Sequence, residues 1–289
     1  MKQSIILFLF AAFFSCSKDE AIERPEPPPS GLQAETLTNV AYDNDPLQKM
    51  DIYLPENRTV VQTKVLVLIH GGAWSSGDKA DFTSFISEFK ELLPDYAIFN
   101  INYRLSTGFS NNFPTQENDL KTAVDFIYDH RAKYVISDKW VLAGVSSGAH
   151  LALLQSYKNS APVKPRAVID FFGPVDMVAL YQFYSSDPAL AFGLRLLMTG
   201  TPFQKPDVYR NSSPIQFVNA NTPPTIIFHG GVDDVVPKEQ SFALRARLDQ
   251  FNVPNELVFY ANQTHGWSDP AILNDSFKKI EAFLKANVR

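Results

Sequence analysis

The alternation of short apolar runs with longer amphipathic segments is the feature that most restricts how this 289-residue chain can fold. Runs rich in β-branched and aromatic residues are typical of buried strands and cover 64–70, 96–102, 139–145, 166–172, 224–230 and 255–261. Apolar residues recur at helical spacing between them, in 117–130, 147–157, 238–251 and 274–287. Strands that alternate with helices predict an α/β fold with a mostly parallel sheet covered on both faces, preceded by an antiparallel strand over 50–55.

The composition agrees with one large globular domain. The chain is 45% hydrophobic and 20% charged, which suits a single core of about 250 residues once the N-terminal region is set aside. Its formal net charge is −5 and no basic run occurs. Because binding to nucleic acid requires clustered lysines and arginines, we exclude nucleic acid as a partner.

The first sixteen residues are typical of an export signal. Lys2 precedes an apolar stretch over 5–14, which is too short to span a bilayer but has the length of a signal-peptide core. Cys16 is the only cysteine, so it cannot form an internal disulfide. With Ser15 before it, Cys16 resembles the lipidated cysteine of bacterial lipoprotein signals, although two phenylalanines stand where that family has Leu and a small residue. We therefore expect 1–16 to be a lipoprotein signal peptide.

A linker is predicted to follow. Residues 17–34 are polar and proline-rich and have too little apolar surface to offset the entropy of ordering. The acidic start of this segment resembles the export tags of surface lipoproteins in Bacteroidetes-type bacteria. We expect an exported protein anchored through Cys16 in the outer membrane or on the surface of a Gram-negative bacterium, with one catalytic domain over 35–289.

Residues 144–148 fit the pattern G-x-S-x-G. Alone the pattern is weak, but here it joins a predicted strand to a predicted helix, where the chain must turn sharply. Gly144 and Gly148 lack the Cβ atoms that would collide with the neighbouring strand and helix. Ser146 would then stand at the carboxyl edge of the sheet, where open α/β sheets bind ligands, and is the candidate nucleophile.

A serine hydroxyl needs a histidine base to act as a nucleophile at neutral pH. Among the five histidines, His265 is the best candidate because it follows the final predicted strand. His150 is predicted to point into the fold, and His130 to lie at a helix end or on the surface. His70 and His229 each end a strand beside glycines, where an imidazole often braces a loop.

The histidine in turn needs an orienting carboxylate. Asp233 and Asp234 follow the strand over 224–230, and the chain order Ser, Asp, His favours Asp233. Asp176 follows the preceding strand and could also reach the base. A simple Gly/Asp turn is the alternative for residues 229–234.

An oxyanion hole requires backbone N–H groups that are free of sheet hydrogen bonds. The segment HGGAW over 70–74 follows the strand 64–70 directly and could supply them. The N–H groups of Gly72 and Ala73 could converge with that of Ser147, just after the candidate nucleophile.

Taken together, these segments resemble the α/β-hydrolase esterases of the H-G-G-x-W group, which include bacterial carboxylesterases, hormone-sensitive-lipase-like enzymes and kynurenine formamidases. The matching motifs span nearly the whole domain: LQKMDIYLP (47–55), HGGAW (70–74), NINYRLS (100–106), FPTQENDLKTAVDFI (113–127), GVSSGAH (144–150), SPIQFV (213–218), HGGVDDVVP (229–237) and THGW (264–267). The resemblance implies a serine hydrolase that cleaves small-molecule or glycan-linked esters, such as a polysaccharide deacetylase or a feruloyl-type esterase, without metal or organic cofactor.

The resemblance also implies that Ser146 is the nucleophile, Asp233 the orienting acid and His265 the base. It further implies that Gly72, Ala73 and Ser147 supply the oxyanion donors. Ser147 replaces the usual alanine after the nucleophile, which leaves the backbone N–H intact. In the following helix, the sequence GAH (148–150) stands where a second glycine or an asparagine is more usual. We expect this difference to affect packing only.

Substrate selection is predicted to involve an insert over 177–212, rich in aromatic residues, since inserts at this edge commonly form a lid. Most of these aromatics should pack in the core, and a minority should line the site. A peptidase of the prolyl-oligopeptidase type and a non-catalytic hydrolase-fold binding module are the alternative functions.

Overall fold

The computed structural model describes residues 31–159 and 161–289. These residues form one eight-stranded sheet in the order β1-β2-β4-β3-β5-β6-β7-β8. Its strands are β1 Glu35–Ala41, β2 Lys49–Leu54, β3 Lys64–Ile69, β4 Tyr96–Ile101, β5 Trp140–Val145, β6 Ala167–Phe171, β7 Thr225–Gly230 and β8 Asn255–Tyr260. Strands β3 to β8 are parallel and β1 and β2 are antiparallel, which confirms the predicted α/β-hydrolase fold.

The seven predicted strands end within one or two residues of their observed positions. Strand β1 is absent from the predicted set, because none of its residues is buried and its sequence, ETLTNVA, carries no apolar run. It pairs with β2 at the edge of the sheet, where one face and one side remain open to water.

Helices connect the strands: α1 Ile86–Leu92, α2 Thr115–Asp129, α3 Arg131–Tyr134, α4 Ser147–Tyr157, α5 Met177–Phe183, α6 Pro188–Leu197, α7 Pro206–Asn211, α8 Glu239–Gln250 and α9 Pro270–Asn287. Short 3₁₀ turns cover Lys79–Phe85, Tyr184–Ser186 and Pro214–Phe217. The four predicted helices correspond to α2, α4, α8 and α9. The predicted insert contains α5, α6 and α7.

The sheet lies between two hydrophobic cores. Successive residues of a strand point to opposite faces, so Val65 and Val67 of β3 contribute to one core while Leu66 and Leu68 contribute to the other. Helices α2, α4 and α8 and the insert cover the first face. The turn over Lys79–Phe85 and helices α1 and α9 cover the second.

Parallel strands bring their carboxyl ends to one edge of the sheet, so the loops that follow β3, β5, β6, β7 and β8 meet there. In the described residues, no helix is both long and apolar enough to cross a membrane. The predicted signal peptide, Cys16 and most of the predicted linker lie outside the described residues.

Candidate active site

Ser146 occupies a strained turn between β5 and α4. Its backbone angles are φ 55° and ψ −119°, a conformation that residues with a side chain rarely adopt. Its N–H donates to the carbonyl of Phe171 at the end of β6, 2.8 Å away, which fixes the turn to the neighbouring strand. The hydroxyl therefore projects from the carboxyl edge of the sheet, as predicted from the sequence.

The flanking glycines are required by close backbone contacts. A Cβ on Gly144 would overlap the carbonyl group of Gly148, and a Cβ on Gly148 would overlap the carbonyl oxygens of Ile69 and His70. Helix α4 therefore starts directly against the ends of β3 and β5. This confirms the steric reason given for the two glycines.

A chain of hydrogen bonds connects Ser146 to a histidine and a carboxylate. The Ser146 hydroxyl lies 2.9 Å from Nε2 of His265, and Nδ1 of His265 lies 2.8 Å from Oδ2 of Asp233. His265 lies on the loop after β8 and Asp233 on the loop after β7. The structure thus brings together the three residues that the sequence singled out, in the geometry of a Ser-His-Asp triad.

Asp233 is held as an anion despite its burial. Its side chain is 0% exposed, and burial alone would raise the pKa of the carboxyl group. The hydrogen bond and charge interaction with His265 oppose this, and Oδ1 accepts from the N–H groups of Val235 and Val236, each at 2.9 Å. The net result is a pKa below the usual value for aspartate, as an orienting carboxylate requires.

Asp176 and Asp234, the other two candidates for the orienting carboxylate, make no hydrogen bond to His265. Asp176 caps helix α5, where its Oδ1 accepts from the N–H groups of Val178 and Ala179 at 3.0 Å. Asp234 is exposed on the loop beside Asp233. Of the three candidates, Asp233 is the one hydrogen-bonded to His265.

Three other histidines brace the fold. His229 is fully buried, with Nδ1 against the Ser241 hydroxyl and Nε2 against the Val236 carbonyl, and burial lowers its pKa. His70 has its Nδ1 2.7 Å from the Gly71 carbonyl. His130 caps α2 through its N–H and has Nδ1 2.8 Å from the Phe126 carbonyl. All three agree with the bracing and capping positions predicted for them.

The loop after β3 lines the same cleft as Ser146 and carries free backbone N–H groups. Gly72 has φ 105° and Ala73 has φ 51°, and the Gly72 carbonyl turns back to accept from the N–H groups of Ser75 and Ser76. Within the described residues, the N–H groups of Gly72 and Ala73 donate to no protein acceptor. The N–H of Ser147 is equally free, because the first residues of a helix have no intrahelical acceptor.

The same loop is anchored by His150, which the sequence did not predict. Nε1 of Trp74 donates to Nδ1 of His150 at 3.2 Å, and Nε2 of His150 donates to the Ser212 carbonyl at 2.6 Å. Burial lowers the pKa of His150 to about 4, so the ring is neutral and can accept from Trp74. The prediction that His150 points into the fold is confirmed by its full burial, and its ring links α4 to the loop carrying Gly72 and Ala73.

The cleft over Ser146 has a volume of about 510 Å³ and is lined by both polar and apolar side chains. Ser76 and Asp81 are among the polar ones, and Phe82, Phe85 and Phe172 are among the apolar ones. The Phe172 ring packs against His265 with centroids 4.6 Å apart. Among the described residues, no group of three His, Cys, Asp or Glu side chains could hold a metal ion.

The insert over 177–212 does not contribute to the cleft over Ser146 as predicted. Met177, Tyr184 and Met198 are buried in the first core, whereas Phe183 and Phe192 are exposed. Within the described part of the chain, the residues that line the cleft come from other segments, so the expectation that some of the insert lines the site is wrong for this cleft. The Tyr184 hydroxyl instead donates to the carbonyl of Val235, next to the Asp233 loop.

A family model described as BD-FAE matches residues 50–248, which include Ser146 and Asp233. The chain belongs to the BD-FAE family. The matched region begins in β2 and ends in α8, so His265 lies beyond it.

This BD-FAE chain also resembles curated esterases. It is 28% identical over 225 residues to Esterase LipC of Mycobacterium tuberculosis, covering 72% of this chain and 54% of that protein. It is 25% identical over 247 residues to isoprenylcysteine alpha-carbonyl methylesterase ICME of Arabidopsis thaliana, covering 78% of this chain and 56% of the relative. The chain thus spans about half the length of the curated relatives it matches.

Two solved structures share both fold and sequence with the BD-FAE chain. A bifunctional GH43-CE protein of Bacteroides eggerthii superposes with a TM-score of 0.75 at 28% identity, covering 88% of this chain and 38% of that one. A truncated carbohydrate esterase from gut microbiota gives a TM-score of 0.72 at 26% identity, covering 89% of this chain and 97% of that one.

Proposed function

We propose that this BD-FAE protein is a serine carboxylesterase that hydrolyses esters through an acyl-enzyme on Ser146. The observation that carries the proposal is the hydrogen-bonded series Asp233, His265 and Ser146, which shares its cleft with Gly72 and Ala73, whose N–H groups have no protein acceptor among the described residues. The esterases among its relatives and structural neighbours support the same reaction class.

In the first half of the reaction, Ser146 Oγ attacks the ester carbonyl carbon while His265 Nε2 accepts its proton. Negative charge develops on the carbonyl oxygen, and the N–H groups of Gly72, Ala73 and Ser147 stabilise it. Asp233 keeps the proton of His265 on Nδ1 and stabilises the imidazolium. The alcohol then leaves with the proton returned by Nε2.

In the second half, water takes the place of the alcohol. His265 accepts a proton from the water, whose oxygen attacks the acyl carbon bonded to Ser146 Oγ, and the same N–H groups bind the second oxyanion. The bond to Oγ breaks, the proton passes from His265 to Ser146, and the carboxylic acid departs. The chain's own residues supply every proton transfer in this cycle.

We further propose glycan-linked esters as the substrate class, with polysaccharide deacetylation or feruloyl-type hydrolysis as the reaction. The similarity to a carbohydrate esterase and to a protein named as a GH43-CE fusion supports this class. Ser76 and Asp81, which line the cleft, are compatible with a hydroxyl-rich alcohol group.

The test is a panel assayed on the full-length protein with p-nitrophenyl esters, acetylated xylan, feruloyl esters and aminoacyl p-nitroanilides. We expect ester hydrolysis that Ser146→Ala and His265→Ala each reduce by several orders of magnitude, since triad residues act as a unit. Hydrolysis of the anilides alone would favour a peptidase, a function named in two more distant relatives. No turnover of any substrate would favour a binding module.

We also propose that the protein is an exported lipoprotein, tethered through Cys16 with residues 17–34 as spacer. The support is the apolar stretch 5–14 followed by Ser15 and the single cysteine. We expect the wild-type protein in the membrane fraction of its native host, with Cys16→Ala retained as precursor or released in soluble form. A Cys16→Ala protein that matures and fractionates like wild type would contradict lipidation.

A further inference from the structure

A buried tyrosine contacts both segments that carry the oxyanion donors. Tyr103 follows β4 by two residues and is 1% exposed. Its hydroxyl oxygen lies 3.0 Å from the carbonyl oxygen of His70 and 3.3 Å from that of Gly71. It also lies 3.4 Å from the hydroxyl oxygen of Ser147. One phenol group therefore joins the loop after β3 to the first residue of α4.

The direction of these hydrogen bonds follows from the groups involved. Burial raises the pKa of Tyr103 above its usual value, so the phenol keeps its proton. Because a phenol has a single O–H group and a carbonyl oxygen can only accept, Tyr103 donates to the nearest acceptor, the His70 carbonyl. The phenol oxygen is then available to accept from the Ser147 hydroxyl. The series thus runs from α4 through Tyr103 to the loop after β3.

The ring of Tyr103 packs face to face with that of His70. The two ring planes are 8° apart and their centroids are separated by 4.3 Å. Burial lowers the pKa of His70, so its ring is neutral. Nδ1 of His70 donates to the Gly71 carbonyl at 2.7 Å, and Nε2 has no hydrogen-bond partner among the described residues, which agrees with a proton on Nδ1.

The carbonyl of Gly71 belongs to the same peptide group as the N–H of Gly72, the first oxyanion donor. Because this peptide group is planar and trans, its N–H points in the direction opposite to its carbonyl. Nδ1 of His70 donates to that carbonyl, and the Tyr103 hydroxyl lies beside it. Two buried side chains therefore determine the direction in which the Gly72 N–H points.

The N–H of Ser147, another donor, belongs to a different segment that packs directly on this loop. A Cβ on Gly71 would lie 2.9 Å from the Val145 carbonyl oxygen and 3.4 Å from Cβ of Ser146. The hydrogen bond between the Ser147 hydroxyl and Tyr103 adds a polar link to this backbone contact. The relative position of the two segments matters, because an oxyanion hole is effective only when its donors already lie at hydrogen-bond distance from the developing charge.

We propose that Tyr103 is a positioning residue of the oxyanion hole, which holds the donors of Gly72 and Ser147 in a fixed relative geometry, and that the Ser147 hydroxyl reinforces this arrangement. The inference rests on the proposed esterase function and adds to it two hydroxyl groups outside the triad. It gives a role to the serine that follows the nucleophile, where the resembling esterases usually have alanine. Removal of either hydroxyl should weaken stabilisation of the oxyanion more than binding of the ester.

The experiment measures kcat and KM for p-nitrophenyl acetate, and Ki for a trifluoromethyl ketone, on the full-length protein. Ser146 Oγ adds to the ketone carbonyl carbon, His265 takes the proton, and the carbonyl oxygen becomes an anion in the oxyanion hole. Loss of a whole oxyanion donor costs about 10²–10³ in kcat, so a displaced donor should cost less. Tyr103→Phe should lower kcat about tenfold, leave KM unchanged and raise Ki about tenfold. Ser147→Ala should act in the same direction by about threefold, because its hydrogen bond is longer.

Tyr42→Phe is the matched control. Tyr42 is also buried, and its hydroxyl donates to the carbonyl of Asn102, 2.7 Å away, in the same loop as Tyr103. This change should lower stability in urea denaturation without altering kcat or Ki.

The possible outcomes separate the positioning role from the function on which it rests. A folded Tyr103→Phe protein with wild-type kcat and Ki, or one that loses kcat while Ki stays unchanged, would overturn the role of Tyr103. If Tyr103→Phe does not fold, Ser147→Ala decides, and wild-type kcat and Ki in that variant would overturn the inference. Absence of ester hydrolysis by the wild-type protein would instead contradict the proposed function.

Discussion

Asp170 is a buried carboxyl group whose charge the fold does not compensate. It lies in β6 and is 0% exposed, with Oδ1 accepting from the Gly173 N–H at 2.8 Å. No described group donates to Oδ2. Burial raises the pKa of Asp170 to about 7, against the lowering effect of the Gly173 hydrogen bond. The folded protein therefore retains a proton there that the unfolded chain releases from pH 4 upward.

The sign and size of the effect on stability follow from this difference. Because the pKa is raised in the folded state, stability is fully present below the unfolded pKa of 3.8 and is lost as the pH rises toward 7. The shift corresponds to about 4 kcal/mol in total, at 1.36 kcal/mol per pKa unit. Roughly 3 kcal/mol of this falls between pH 5 and pH 8. Asp170→Asn keeps the shape but removes the titration.

Urea denaturation at pH 5 and pH 8 measures the effect. We expect the free energy of unfolding of Asp170→Asn, relative to wild type, to rise by about 3 kcal/mol between the two pH values. Asp234→Asn, at the exposed carboxylate of the Asp233 loop, is the control and should show no such change. A difference between Asp170→Asn and wild type that stays constant with pH would refute the reasoning.

Three further predictions concern the active site and its supports. Asp233→Asn should lower kcat by about 10⁴-fold. Asp176→Asn should leave kcat near the wild-type value and stability nearly unchanged in urea denaturation, because the Asn side-chain oxygen can cap helix α5 as Asp does. Gly148→Ala should destabilise the protein by about 3 kcal/mol in urea because its Cβ meets the end of β3, while Gly193→Ala, with open space around it, should not. The stability of wild type relative to His150→Gln should fall by about 3 kcal/mol between pH 6.5 and pH 4, because protonation of the buried His150 is disfavoured, as urea titrations of both proteins at the two pH values will measure.

Most of the sheet could be predicted because its strands are buried on both faces and form continuous apolar runs. Strand β1 could not, because an exposed edge strand needs no apolar pattern. The segment over Lys79–Leu92 divides into a 3₁₀ turn and a two-turn helix, which is too short for helical periodicity to stand out.

The three triad residues could be predicted from chain order, whereas the contacts that hold the triad and the neighbouring loop in place could not. Chain order already favours Asp233 over Asp176, but the helix cap that engages Asp176 is a contact that sequence position does not reveal. The bond between Trp74 and His150 joins residues 76 positions apart and depends on how α4 packs behind the loop. The placement of Phe172 beside His265 likewise depends on the positive φ of 45° at the end of β6.

The central claim is that Ser146 forms the acyl-enzyme, and covalent labelling tests it most directly. The full-length protein is treated with a fluorophosphonate, digested and examined by mass spectrometry, with Ser146→Ala in parallel. We predict one adduct per chain on Ser146, loss of ester hydrolysis in proportion to labelling, and no adduct at this position in Ser146→Ala. Labelling at another serine with activity lost, or a Ser146→Ala protein that hydrolyses esters at the wild-type rate, would contradict the account.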